Sequence, residues 1–81
     1  MKKNSMMSVN AMIDLYVRYG VAEETWDMLY NMTIHGLISS DNWSKFYDTC
    51  ASWACESDVI IDGYGNVVYH IDDNGFWVKA A

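Results

Sequence analysis

The sequence contains no proline, two cysteines and only five basic residues in 81 positions. Each shortage excludes something. Without proline there is no material for a polyproline II linker or a collagen-like segment. Two cysteines cannot staple a disulfide scaffold. Five bases against eleven acids leave a formal charge of −6, the wrong sign for a protein that grips nucleic-acid phosphates. No apolar run reaches the ~18 residues that mark a membrane-spanning helix. Lys2 and Lys3 imitate the start of a secretory signal, but Asn10 and Asp14 interrupt the apolar stretch that must follow. The expectation is a cytoplasmic chain whose two thiols stay reduced.

What the chain does have is apolar bulk. Hydrophobic residues make up 52% and aromatics 15%, too much for intrinsic disorder. The length allows one domain over residues 1–81, with residues 1–5 read as a frayed tail. A domain of this size buries only somewhat over ~60% of its unfolded surface. Four Trp, six Tyr and two Phe offset that, because each buried ring removes roughly 150–250 Å² from water.

Hydrophobic spacing divides the chain into two parts. Residues 5–19 predict a first helix, with Met6, Val9, Met12, Ile13, Tyr16 and Val17 on one face and Asn10, Asp14 and Arg18 on the other. Gly20 is its natural stop. Residues 22–38 predict a second helix, opened by Glu23 and Glu24 and weakened near Gly36. Ser39-Ser40-Asp41 is a capping cluster for a third helix over about residues 41–56, with Trp43, Phe46, Tyr47, Cys50, Trp53 and Ala54 on its inner face. The period then changes from helical to alternating. Residues 58–62, 67–72 and 76–80 predict three strands joined by hairpins at Gly63-Tyr64-Gly65 and Asn74-Gly75. The fold class is therefore α+β: three N-terminal helices followed by a C-terminal three-stranded antiparallel β-meander. With a two-residue second turn, Val59, Ile61, Val67, Tyr69, Ile71, Phe76 and Val78 face the helices. Ile60, Val68 and Trp77 then form an apolar patch on the open face, suited to a partner or a second copy. No internal repeat is evident.

The charge is unevenly placed. From Val21 to Asp73 there are ten acids and one base. Such a surface repels nucleic acid and is attracted to basic clefts. Glu23, Glu24, Asp27, Asp41 and Asp48 are the acidic residues expected to meet a partner.

No pattern supports catalysis or a cofactor. His35, Cys50, Cys55 and His70 could in principle form a zinc set, but the tight ligand pairs of zinc sites are missing. On one helix, Cys50 and Cys55 would point about 140° apart. Asp72-Asp73-Asn74-Gly75 lacks the alternate-position spacing of a calcium loop and reads better as a turn. Cys55 with either histidine could make a dyad, though nothing in the spacing brings them together. His70 and Asp72 are expected to form a surface polar pair. The chain reads as non-enzymatic, with no metal or cofactor.

Ser8-Val9-Asn10-Ala11-Met12-Ile13-Asp14, followed by Tyr19-Gly20-Val21-Ala22-Glu23-Glu24-Thr25, resembles the opening of small proteins from gut-bacterial phages and prophages. An acidic, motif-free single domain from such a source is also similar to phage counter-defence proteins of the anti-CRISPR and anti-restriction type. That resemblance implies a mobile-element origin and a place in the bacterial cytoplasm. It implies no particular activity; the acidic stretch from Val21 to Asp73 instead leads to the expectation of a non-enzymatic inhibitor whose acidic, nucleic-acid-mimicking surface blocks a host protein with a basic nucleic-acid-binding groove, for example a CRISPR effector, without binding nucleic acid or membrane directly. It transfers no site residues. The alternatives are a self-associating interaction module, such as a homodimer through Ile60, Val68 and Trp77, or a helix-turn-helix regulator built on the second and third helices.

Overall fold

The computed structural model describes residues 6–80, so the expected tail, residues 1–5, lies outside the described residues. Three helices come first: α1 (Val9–Arg18), α2 (Glu23–Ile34) and α3 (Ser40–Cys50). Four strands follow: β1 (Ala54–Glu56), β2 (Val59–Ile61), β3 (Val67–Ile71) and β4 (Trp77–Lys79). They pair antiparallel in the order β1-β2-β3-β4. The α+β class holds, but the meander has four strands where the sequence predicted three. Among the described residues, no helix is long and apolar enough to cross a membrane.

The helix boundaries follow from local chemistry. Ser8 Oγ accepts from the Ala11 amide at 3.1 Å and Ser39 Oγ from the Asn42 amide at 3.1 Å. Each cap satisfies one of the orphan donors of a first turn. At the far ends, α1 and α2 stop in the same way. The Val21 amide reaches Tyr16 O at 2.9 Å, and the Leu37 amide reaches Met32 O at 2.8 Å. Gly20 and Gly36 supply the left-handed residue that this Schellman closure requires. The second helix therefore ends before Gly36 and not at residue 38.

The third helix stops at Cys50, short of the predicted residue 56. Trp53 keeps the helical spacing of the buried face, which is why the sequence pattern runs on through it. Its ring is instead held by the sheet, with the Tyr69 ring centroid 5.8 Å away. Ala54, Cys55 and Glu56 leave the helix to form β1, and a two-residue turn at Ser57-Asp58 returns the chain to β2. Ser57 takes a positive φ of 59° to make that turn.

Two further details reset the sheet. The turns at residues 62–66 and 72–76 are copies of one another. In the first, Asp62 Oδ1 accepts from the amides of Tyr64 at 2.8 Å and Asn66 at 2.9 Å. In the second, Asp72 Oδ1 accepts from Asn74 at 2.9 Å and Phe76 at 3.0 Å. Gly65 and Gly75 both take φ 84° and donate to the carbonyl of the same aspartate. The sequence carries this as a ten-residue repeat, Ile61-Asp62-x-x-Gly65 against Ile71-Asp72-x-x-Gly75, a correction to the reading that found none. The second turn thus spans three central residues, not the two of an Asn-Gly turn, and pairs Ile71 with Trp77 instead of Val78. In the first hairpin Ile61 pairs with Val67 as expected. The next step on β2, to Ile60, moves two residues on β3, to Tyr69. Val68 is the extra residue of this bulge.

A one-residue slip turns every side chain of a strand over. Tyr69 and Ile71 of β3 face the helices as expected. The bulge turns β2 over and the longer turn does the same to β4. The row facing the helices is Cys55, Ile60, Tyr69 and Lys79. The row on the open face is Glu56, Val59, His70 and Val78.

The core lies among the helices, where Met12, Tyr16, Leu29, Ile38, Phe46 and Cys50 are buried together. Phe46 sits in a cage of rings, with centroids 5.4 Å from Tyr16, 5.2 Å from Trp26 and 5.6 Å from Trp43. Truncating a fully buried Phe costs ~3–5 kcal/mol, a large share of the ~5–15 kcal/mol that holds a typical domain together. Phe46→Ala should therefore unfold the chain at low urea or leave it largely unfolded in water. Phe46→Leu should fold with a lowered urea midpoint, followed by circular dichroism.

Candidate interaction surface

Glu23, Glu24 and Asp27 project from the first two turns of α2, and all three are exposed. Asp41 and Asp48 stand on one exposed stripe of α3 with Lys45 between them. Lys45 Nζ lies 3.1 Å from Asp41 Oδ2, the one ion pair among the described residues. A solvent-exposed pair of this kind is worth little in stability, and it neutralises Asp41 without affecting Asp48. The α2 group is thus the less compensated of the two.

The sheet adds acids that the sequence reading did not single out. In a meander, alternate turns lie at the same end. The Ser57-Asp58 turn and the second aspartate turn therefore share one end, tied by the Ile71 amide donating to Asp58 O at 2.9 Å. Glu56, Asp58 and Asp73 are exposed there. Asp62 belongs to the opposite end and is spent on its turn. The amides of Asn66 and Tyr64 hold its carboxyl below the usual carboxylate range. Of the eleven acids, nine are exposed, and the two that are not are the turn-forming Asp62 and Asp72.

The apolar anchors assigned to the open sheet face are corrected. Ile60 is 0% exposed and faces the helices. Trp77 pairs with Ile71 on the helix side and borders a cleft against Val17 and Arg18 of α1. Val68 is the half-buried bulge residue. The apolar side chains on the open face are instead Val59, Ile61 and Val78, each half-buried. The most exposed large hydrophobic side chain among the described residues is Tyr64 at 92%, on the tip of the first aspartate turn. No periodicity argument could find it, because its position depends on the turn and not on a strand.

The residues that could carry chemistry stay apart. Cys55 lies on the helix-facing row of the sheet and His70 on the open row. His35 caps the end of α2. Among the described residues, no three His, Cys, Asp or Glu side chains converge so as to hold a metal ion. The expected His70–Asp72 pair does not form. Asp72 accepts from its own turn, and His70 Nδ1 lies 3.4 Å from Ile71 O. No family model matches the chain, and no curated protein or solved structure is similar to it.

The two thiols differ sharply. Cys50 is fully buried in the helical core, and burial pushes its pKa up to about 12. Cys55 is exposed, and its Sγ donates weakly to Ser57 O at 3.6 Å. A thiol reagent at pH 8 should modify Cys55 promptly in the native protein and reach Cys50 only in denaturant. Mass spectrometry of the modified peptides reads this directly, and rapid native labelling of Cys50 would contradict the packing described.

Proposed function

We propose that this domain is a non-enzymatic protein-binding inhibitor. It occupies the basic nucleic-acid-binding groove of a host protein, for example a CRISPR effector, with an acidic surface in place of phosphates. The observation that supports this most is the exposure of nine acids with a single compensating ion pair among the described residues, whose histidines and cysteines do not meet. Glu23, Glu24 and Asp27 lead the surface, with Asp41 and Asp48 on the neighbouring helix. Charge complementarity of this sort chiefly raises the association rate and selects the partner. Exposed aromatic side chains such as Tyr64 then provide the anchors that charge alone does not.

Glu23 and Glu24 also stabilise the start of α2, so reversing them weakens the helix as well as the surface. Asp27 and Asp48 lie beyond the first turns of their helices. The clean variant is therefore Asp27→Lys with Asp48→Lys. It should lower the ability of the protein to displace a labelled DNA duplex from a CRISPR effector by about tenfold or more, with the melting temperature unchanged within a few degrees. The loss should shrink as salt rises. Equal displacement by the variant and the parent at low salt would remove the assignment.

A second reading rests on the sheet face turned away from the described helices, where Val59, Ile61 and Val78 are half-buried. That surface supports self-association, with a second copy covering the same face. Sedimentation at low micromolar concentration should then show a dimer that Val59→Lys dissociates; a strict monomer would eliminate this reading.

A further inference from the structure

Helix α1 turns its polar side toward the sheet. Asn10 and Asp14, one turn apart, line an open cleft of about 520 Å³ whose far wall is Tyr69 and Lys79. Ile13 and Trp53 close its apolar side. A helix facing a sheet normally buries an apolar stripe there. Here Asp14 from the helix and Lys79 from the sheet line the same cleft without forming an ion pair, since the one such pair among the described residues joins Lys45 and Asp41. Burial, with smaller contributions from the nearby Asp14 carboxylate and Cys50, raises the pKa of the Tyr69 hydroxyl. Asn10 contributes an amide able both to donate and to accept.

A ligand that matches this pattern carries an ammonium for Asp14, a carboxylate for Lys79 and an apolar side chain for Ile13, Trp53 and the Tyr69 ring. We propose that the cleft binds a free zwitterionic α-amino acid with an apolar side chain. Each end of the ligand makes a charge-assisted hydrogen bond to one wall, the stronger class of polar contact. The volume falls within the range of small-molecule sites and is open enough to admit the ligand without unfolding. The site uses none of Glu23, Glu24, Asp27, Asp41 and Asp48, so the variants that test it leave the residues leading the partner surface untouched.

The test is a titration of the ¹⁵N-labelled protein with three probes: L-leucine, N-acetyl-L-leucine, which lacks the ammonium, and L-leucinamide, which lacks the carboxylate. L-leucine should shift the backbone amides of Asn10, Asp14, Tyr69 and Lys79 with a dissociation constant in the millimolar range or tighter. Each analogue should bind about tenfold or more weakly, as the loss of one charge-assisted contact requires. Asp14→Asn should weaken L-leucine and abolish the preference over the N-acetyl compound. Lys79→Met should do the same for the preference over the amide. Both positions are exposed, so the variants keep the fold, which their amide spectra verify. Absence of shifts at saturating probe, equal binding of all three probes, or shifts confined to other surfaces would overturn the proposal.

Discussion

Phe46 packs against rings from all three helices, contributed by Tyr16 of α1, Trp26 of α2 and Trp43 from its own α3. With no disulfide among the described residues, this cluster is what fixes the helices relative to one another. Tilted and edge-on rings gain directional attraction beyond the area they bury. The arrangement explains how a chain of 81 residues spends so much of its composition on aromatics. It also explains the state of Cys50, which is enclosed by the same core and held as a neutral thiol. The sheet is joined to this unit through Ile60 and the Tyr69–Trp53 contact, and Trp77 borders a cleft against α1.

The helices were legible because their signals are local. Ser39, Gly20 and Gly36 mark ends by their own chemistry, and the buried positions Met12, Tyr16, Phe46 and Cys50 fall on the predicted faces, whereas the Ser8 cap went unread and α1 begins at Val9 instead of residue 5. The sheet was legible only in part. Tyr69 and Ile71 were placed on the correct side, but the faces of β2 and β4 depend on one residue at a bulge and one in a turn. Alternation cannot report such a slip, because it looks the same in either phase. The cue for the second turn was present in the repeated Ile-Asp-x-x-Gly, whose two copies must fold alike. The first strand had no comparable cue, since Ala54, Cys55 and Glu56 are not strand-formers and Trp53 extends the helical spacing.

The same slip redistributed the candidate surfaces. Ile60 and Trp77 moved inward with their strands, and Val59, Ile61 and Val78 became the open-face apolar residues. The acids on α2 and α3 are exposed, because charges on a helix fall opposite its apolar stripe. The polar side of α1 could not be placed from sequence. Asn10, Asp14 and Arg18 read as a solvated back, and only the position of the sheet shows that they line clefts.

The twin aspartate turns have a consequence for how this sheet can change size. Each turn is closed by its own aspartate and glycine, with no help from the helices. Each therefore carries its geometry as a self-contained cassette of one strand and one reversal. Since β4 is the last strand of the sheet, its outer edge is unpaired among the described residues, and a further strand and reversal of this kind could pair there without replacing an existing strand partner.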